Sequence, residues 1–419
     1  MIIKNIHARQ VIDSKGYPTV ECDVTTGAGL FRAMVPSGAS TGKHEALELR
    51  DGGDAFFGKG VLNAVVNINK IIAPKLIGMN ALEQEKIDSI MIELDGSDNK
   101  SVLGANAMIA VSLACCRAGA GAVNVPLYEY IGKLTGNREF AIPVPMMVFL
   151  EGGKHADLSM DFQEVMVVPM LAKSFEQALK CCIEIYQTLK ESLKSKMFNT
   201  CVGYEGAFAP RIGNEDVFEI LVNAIEDAGY KPKSEVGIAL DAAASELYNG
   251  RAGKYLFASE KKSLDSGKMI DFYDYLIEKY PIVSIEDGLA EDDWEAWTEL
   301  NKRVGEVVQI VGDDLTVTNL IRLNRAIKYC AINSMIIKLN QIGTVSETLK
   351  VVKSAKNNKI KIVVSHRGGE TEDTFVADFA VGIGSEQCKF GAPARSERTA
   401  KYNQLLRIEE AVKSYKRFW

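Results

Sequence analysis

Five ionisable residues stand at the ends of short apolar segments in the later part of the sequence. They are Asp241, Glu286, Asp313, Lys338 and His366. The strands of a parallel α/β barrel end at one face, and the catalytic residues of such barrels lie at that face. Packing alone does not require a charge at the end of a buried strand. This succession therefore predicts a reaction centre.

The three acids of this set point to a divalent cation. Asp241, Glu286 and Asp313 would converge from three successive strands, and converging carboxylates repel one another unless a cation lies between them. Ligands that are all oxygen favour magnesium over zinc. The alternative is that each acid caps a helix or pairs with a lysine or arginine.

The basic residues nearby are suited to proton transfer and to anion binding. Lys338 ends an apolar strand and could act as a general base if its pKa, about 10.4 in a free side chain, fell by roughly 3. Positive charge nearby, from magnesium or from Lys389, would lower it. Arg367 follows His366, and its planar guanidinium suits phosphate or carboxylate. His155 is a second candidate, for which a purely structural role stays open.

The elements that must position these residues change along the chain. Ile2–Ile12 and Thr19–Thr26 predict a hairpin, and helical patterns follow over about Gly60–Ile92 and Gly104–Ala120. A Gly- and Asn-rich piece, Leu134–Arg138, is typical of a domain boundary. Short apolar strands then alternate with helices, which favours a parallel barrel. The predicted strands are Val144–Leu150, Val165–Pro169, Val236–Asp241, Ile282–Glu286, Val308–Asp313, Met335–Lys338 and Ile362–His366.

The resulting fold class is α/β, with two domains. Residues 1–138 form an α+β capping domain, and residues 139–419 form a TIM-like (β/α)8 barrel. Two strands precede its first long helix, so we expect a ββαα start to the barrel.

Composition limits the possible partners. The 419 residues carry a net charge of -6, which argues against nucleic acid as a partner. The N-terminus has no apolar core of signal-peptide length, and we expect no run close to the roughly 18 apolar residues of a membrane span. The eight cysteines lack zinc-type spacing and are interpreted as free thiols. We therefore expect a cytoplasmic protein.

The ordered motifs of the chain resemble those of the enolase family over nearly its whole length. The segment Ser37–Asp51, SGASTGKHEALELRD, is similar to the family's mobile lid. Other matching motifs, in family order, are ALDAAASELY, SIEDGLAEDDW, QIVGDDLTVTN, IIKLNQIGT, SHRGGETEDTF and GAPARSERTAKYNQLLRIEE. The resemblance implies an enolase-type barrel and a magnesium-dependent lyase that interconverts 2-phosphoglycerate and phosphoenolpyruvate.

The resemblance also implies a role for individual residues. Asp241, Glu286 and Asp313 would bind the first of two magnesium ions, and Ser40 on the lid would bind the second, which arrives with substrate. The implied catalytic residues are the base Lys338, the acid Glu205 with Glu164 beside it, and Lys389 at the substrate carboxylate. The substrate contacts would be His155, His366, Arg367 and position 368, together with Glu286, Asp313 and Lys389.

The sequence departs from the family pattern at several places near these residues. Tyr204 and Ala207 replace Asp and Gly on either side of Glu205, and Gly368 replaces a serine that helps hold the phosphate. Glu151 replaces Asn, and Phe390 replaces Thr beside Lys389. Lys43 on the lid is one possible substitute for the missing serine hydroxyl.

Three functions stay open on this pattern. The first is authentic enolase activity on a small phosphorylated acid. The second is the same chemistry on a related phosphorylated or phosphonate acid, and the third is a non-catalytic binding or scaffold protein.

The changes to Lys15 and Tyr17, where the family has Arg and Asn, are assigned to packing or a subunit contact. Arg9 and Glu410 match family positions that pair across a dimer interface, so the resemblance implies a homodimer.

Overall fold

A three-stranded antiparallel sheet opens the chain. The computed structural model describes residues 1–418, and its first strands are β1 (Asn5–Ile12), β2 (Pro18–Thr26) and β3 (Gly29–Met34). The sheet order is β1-β2-β3, with Asn5 opposite Thr25 and Thr26 opposite Gly29. The predicted hairpin is confirmed, and Gly16 supplies the positive φ of its turn (79°).

Helices cover one face of this sheet. In chain order they are a 3-10 turn Ala55–Gly58, α1 (Leu62–Asn67), a π-helical segment Ile68–Ile72, α2 (Ala73–Leu76), α3 (Gln84–Asp95), α4 (Ala105–Ala122) and α5 (Leu127–Thr135). The helix α4 is rich in Ala and Gly, and nearly all of it is buried against the sheet and its neighbouring helices.

The helix α4 is the one described helix that passes a length and composition test for a membrane span, which the sequence analysis did not anticipate. Its 18 residues have a mean hydropathy of 1.2, so by length and composition this helix could cross a membrane. However, 83% of that window is buried inside the fold, as in the core helix of a globular protein. The many Ala, Val, Leu, Ile, Met and Cys residues of α4 raise its mean hydropathy, and hydropathy by itself is weak evidence for a span.

The second part of the chain forms a barrel whose strands converge on one face. They are β4 (Val144–Pro145), β5 (Met147–Glu151), β6 (Glu164–Pro169), β7 (Val236–Asp241), β11 (Ile282–Glu286), β12 (Gln309–Gly312), β13 (Ser334–Ile337), β14 (Lys361–Ser365) and β15 (Gln387–Lys389). Three short strands, β8 (Tyr248–Asn249), β9 (Lys254–Phe257) and β10 (Lys262–Leu264), form a separate sheet after β7.

Sheet topology closes the barrel. The strand order is β4-β15-β14-β13-β12-β11-β7-β6-β5, and only Met146 separates β4 from β5, so the sheet returns to its start. β6 is antiparallel to both β5 and β7, whereas the later strands are parallel. Two long helices lie between β6 and β7, and the predicted ββαα start is therefore confirmed.

The remaining helices surround this barrel. They are α6 (Phe175–Ser195), α7 (Asp216–Asp227), α8 (Ala244–Leu247), α9 (Ser266–Lys279), α10 (Trp294–Val304), α11 (Leu320–Lys328), α12 (Leu339–Ile342), α13 (Val345–Asn357), α14 (Phe375–Ile383) and α15 (Ser396–Val412). A 3-10 turn, Gly153–His155, follows β5. The division into domains at residue 138 stays a prediction.

Candidate active site

A buried lysine gathers three carboxylates at the mouth of the barrel. Lys389 Nζ, on β15, lies 2.9 Å from Glu164 Oε2, from Asp241 Oδ2 and from Glu286 Oε2. Asp241 and Glu286 end neighbouring parallel strands, and Glu164 begins the antiparallel strand β6 opposite Asp241. All four residues are almost fully buried. The carboxylates raise the pKa of Lys389 well above its ordinary value in spite of its burial.

Lys338 makes a second lysine–carboxylate pair at the next strand ends. Its Nζ donates to Asp313 Oδ2, and Gln341 Nε2 donates to Asp313 Oδ1 at 2.9 Å. Burial lowers the pKa of Lys338, but Asp313 and Glu286 outweigh burial and raise it. The expected depression of this pKa is therefore not found here, because Asp313 faces the ammonium as its counter-ion.

The predicted acids have the donor set that magnesium requires. Asp241, Glu286 and Asp313 are all buried, and Glu286 Oε1 accepts no hydrogen bond from any residue within 1–418. Burial, followed by the charge of Asp241, raises the pKa of Glu286 well above its ordinary range. An unsatisfied buried carboxylate among other carboxylates calls for a cation, so the residues fit magnesium. In this arrangement the ammonium groups of Lys338 and Lys389 supply the positive charge.

Two groups of side chains bring possible ligand atoms within 4.8 Å of one another, and Asp241 and Glu286 belong to neither. One is Asp287, Asp313 and Asp314, and the other is His155, Glu164 and Glu205. Asp287 accepts hydrogen bonds from the backbone N–H of Asp313 (3.0 Å) and of Asp314 (2.8 Å). Asp287 therefore fixes the turn that orients Asp313. The sequence analysis missed this supporting residue, although Asp287 directly follows the predicted strand that ends at Glu286.

The acid side of the site contains two histidines and two glutamates. His155 Nδ1 lies 3.1 Å from Glu164 Oε1 and 3.4 Å from Glu205 Oε1, and His366 Nε2 lies 2.9 Å from Glu205 Oε2. Burial raises the pKa of Glu205, but His366, His155 and Arg398 outweigh burial and hold it well below the ordinary range. Burial, reinforced by Arg398, lowers the pKa of His366. Glu205 is thus ionised in this arrangement.

Glu151 supports the loop that carries Glu205. Its carboxylate accepts hydrogen bonds from the backbone N–H of Glu205 (3.2 and 3.1 Å) and of Ala207 (3.0 Å). The residue is fully buried, and burial together with the charge of Glu205 raises its pKa to about 8. Glu151, which stands where the family has Asn, therefore adds a titratable group in contact with the backbone of the candidate acid.

The segment Ser37–Asp51 is closed over the site. Ser37 and Gly369 exchange backbone hydrogen bonds (2.7 and 2.8 Å), and Arg367 Nη2 donates to Ser40 O at 3.3 Å. Glu45 on this segment pairs with the Arg367 guanidinium. The cavity beneath it measures about 10 Å³, roughly the room of one water molecule. Its lining contains Ala39, Ser40, His155, Gln163, Glu164, Glu205, Asp241, Lys338, Ser365, His366, Arg367, Gly368 and Lys389.

Gly368 allows this close approach of the lid. A Cβ at position 368 would lie 2.6 Å from Ala39 Cβ, which is closer than carbon atoms can pack. Lys43 does not replace the missing hydroxyl, since its Nζ is exposed and lies 3.1 Å from Glu291. Lys15 instead reaches the lid, where its Nζ donates to Gly38 O at 2.6 Å. Burial lowers the pKa of Lys15 to about 8.

The other departures fall into two places. Lys15, Tyr17 and Tyr204 line a cavity of about 570 Å³ together with residues of the lid, and the assignment of Lys15 and Tyr17 to packing or a subunit contact stays a prediction. Phe390 is buried against Tyr402, with ring centroids 5.9 Å apart, and packs into the core behind the site.

Comparison with known families agrees with this geometry. The family model described as "Enolase, C-terminal TIM barrel domain" matches residues 139–418, and the one described as "Enolase, N-terminal domain" matches residues 3–131. The first match alone covers more than half of the chain and includes every candidate catalytic residue at the barrel mouth. The chain therefore belongs to the enolase family.

Proposed function

We propose that the protein catalyses the reversible dehydration of 2-phosphoglycerate to phosphoenolpyruvate. The observation that carries this proposal is one small cavity lined by a candidate base, a candidate acid and two cations. These are Lys338, Glu205, Lys389 and Arg367. The family as a whole is magnesium-dependent, and the buried carboxylates of Asp241, Glu286 and Asp313 fit that metal.

The chemistry requires a weakly acidic proton to leave a carbon next to a carboxylate. Removing it adds a second negative charge beside the first, so positive charge must lie nearby before the reaction begins. Lys389 supplies such a charge in a buried position. Magnesium, held by Asp241, Glu286 and Asp313 and, as a second ion, by Ser40, would add further positive charge at the substrate carboxylate when bound.

Each residue then has a defined task. Lys338 takes the proton from C2, and Glu205 gives a proton to the hydroxyl that leaves C3 as water. The C2–H and C3–O bonds break while the C2–C3 double bond forms. Arg367 binds the phosphate once Glu45 has moved away. His155, His366 and Glu164 orient Glu205 and its proton.

The protonation state described above corresponds to the hydration direction. Lys338 is charged and Glu205 is ionised, so Glu205 can accept a proton from water while Lys338 delivers one to C2. Dehydration needs the opposite state of both groups. Binding of cations by Asp313 would weaken the hold of this carboxylate on the Lys338 proton.

A second candidate function is the same elimination on a larger phosphorylated or phosphonate acid. The cavity of about 570 Å³ beside the lid favours it, because three departures from the family pattern line that cavity. Gly368 also removes a hydroxyl donor from the phosphate site. A non-catalytic scaffold has less support, since Lys338 and Glu205 are both present and both face the inner cavity.

An ultraviolet assay of phosphoenolpyruvate formation tests the first function. We expect turnover of 2-phosphoglycerate with magnesium and none after chelation with EDTA. Lys338→Ala and Glu205→Gln should each lower kcat by about 10²- to 10⁴-fold. Lys353→Ala, an exposed lysine on α13, is the matched control and should leave kcat unchanged. A wild-type protein that is inert on 2-phosphoglycerate but active on a larger analogue would favour the second function.

Homodimer formation and a cytoplasmic location are also proposals. In the single chain Arg9 pairs with Glu21 and with Asp23 (2.6 Å), so a partner's Glu410 would join an existing charge network rather than a free arginine. Such a pair stabilises an interface only if it is buried. Sedimentation well above micromolar concentration should show a dimer, and a clean monomer would contradict this proposal.

A further inference from the structure

Arg398 is a fully buried arginine whose position is unfavourable for its own helix. It lies in the first turn of α15, where the helix dipole opposes a positive charge. Its nearest carboxylate oxygen, on Glu397, is 3.6 Å from Nε, beyond a good hydrogen bond. Burying a guanidinium without a close counter-ion is costly. Its surroundings must therefore compensate through hydrogen bonds.

Within residues 1–418, all hydrogen bonds of its side chain go to the two loops that carry the candidate acid and the candidate phosphate contact. Nη1 donates to His366 Nδ1 at 2.7 Å and to Arg367 O at 2.6 Å. Nη2 donates to Tyr204 O at 2.9 Å and to Gly368 O at 2.7 Å. Tyr204 directly precedes Glu205, so one planar group joins both loops.

The contact with His366 has a chemical consequence. A guanidinium has only donors and does not lose its proton, so His366 Nδ1 must present a lone pair to it. The ring proton of neutral His366 is then confined to Nε2. That atom lies 2.9 Å from Glu205 Oε2. The ring N–H is not well aligned with this oxygen in the lid-closed arrangement, and such contacts often tighten only when substrate binds.

We propose that Arg398 is a positioning residue for the acid half of the reaction. It keeps the proton of His366 on the nitrogen that faces Glu205. It also holds the Glu205 loop in a fixed position relative to the loop of Arg367 and Gly368. It acts through these residues and does not line the inner cavity itself. The catalytic part of this inference rests on the proposed function, whereas the state of His366 does not.

The state of His366 can be measured without substrate. The chain has four histidines, so selective ¹⁵N-histidine labelling gives a simple spectrum, with the His366 signals identified by their loss in His366→Asn. In the wild-type protein at neutral pH we expect Nε2 protonated and Nδ1 unprotonated. In Arg398→Met we expect the doubly protonated ring or a mixture of the two neutral forms.

Kinetics then separate positioning from folding. Arg398→Met should lower kcat on 2-phosphoglycerate by about 100-fold, the scale of a displaced acid. Arg398→Lys keeps one charged donor but loses the planar fork, so it should preserve the wild-type His366 spectrum and recover about tenfold in kcat. Arg407→Met, an exposed arginine on the same helix, is the matched control and should leave kcat and the spectrum unchanged.

Three experimental results would contradict the proposed role of Arg398. A wild-type His366 with its proton on Nδ1 overturns it, and this measurement needs no variant to fold. An unchanged His366 spectrum in folded Arg398→Met also overturns it, as does loss of activity in Arg398→Lys as large as in Arg398→Met. If wild-type protein is inert on 2-phosphoglycerate but His366 behaves as expected, the proposed substrate fails while the positioning of His366 stands.

Discussion

The Glu45 carboxylate of the lid occupies both terminal nitrogens of Arg367, with Oε2 2.9 Å from Nη1 and Oε1 3.1 Å from Nη2. Two parallel contacts of this kind are the way a guanidinium also binds a phosphate. The chain thus places an anion of its own where the resemblance puts the substrate phosphate. Entry of a phosphorylated acid requires Glu45 to leave.

We predict that Glu45→Gln lowers the KM for 2-phosphoglycerate by roughly tenfold, equal to about 1.4 kcal/mol. The amide loses the charge that competes for Arg367 but keeps an oxygen for the backbone N–H of Gly42. The KM for 2-phosphoglycerate and the inhibition constant of inorganic phosphate should both fall, as measured by steady-state kinetics. Glu48→Gln is the control, since Glu48 lies on the same segment but pairs with Arg50. Equal effects of both variants would contradict the prediction.

A second prediction concerns Gly368. Restoring serine there should weaken 2-phosphoglycerate binding rather than improve it, because the new Cβ would lie 2.6 Å from Ala39 Cβ when the lid is closed. Limited proteolysis should cut the lid faster in Gly368→Ser than in the wild-type protein. The double variant Ala39→Gly/Gly368→Ser should recover protection, as expected of two residues in contact. A single variant that binds substrate more tightly would show that the lid has room for the serine.

A third prediction follows from the pKa of Glu151, which is raised to about 8 in the folded protein. Between the ordinary glutamate pKa and pH 8, the unfolded chain has lost this proton while the folded protein keeps it. Stability therefore falls as pH rises through this window, by up to about 1.4 kcal/mol per pH unit. Glu151→Gln should abolish this contribution. Thermal unfolding from pH 5 to 9 should show the difference between the variant and wild type growing up to about pH 8 and then levelling off, and a difference that is constant from pH 5 would contradict the prediction.

A fourth prediction tests the metal ligands. Asp241→Asn, Glu286→Gln and Asp313→Asn should each weaken magnesium affinity at least about tenfold, because each removes one charged oxygen ligand. Titration calorimetry measures this directly. Asp271→Asn, a mostly exposed acid on α9, should leave the affinity unchanged. If all three site variants bind magnesium as the wild-type protein does, the ion lies elsewhere.

Much of the barrel follows from local sequence. The bounds of β7 and β11 were predicted to the residue, because each is a short, mostly apolar segment that ends in an acid. For β12, β13 and β14 the prediction extended one residue past the end of the strand, to Asp313, Lys338 and His366. The strand β15 was missed as a strand, since three residues show no periodicity.

The contacts within the site were less accessible to sequence reasoning. Glu45 and Arg367 are more than 300 residues apart, and no local pattern connects them. The charged state of Lys338 depends on which cation neutralises Asp313, which is a property of the assembled site. The role of Glu151 becomes visible only when its two oxygens meet the backbone of the Glu205 loop.

The pairing of β4 with β15 has a consequence for synthesis of the chain. Val144 lies opposite Gln387, so the strand that begins the barrel waits roughly 240 residues for the strand that closes it. At typical elongation rates of about 5–20 residues per second, this delay is on the order of 10–50 s. Until then the nascent chain exposes unpaired strand edges, which are templates for aggregation. Protection by a chaperone during translation would matter most in this interval.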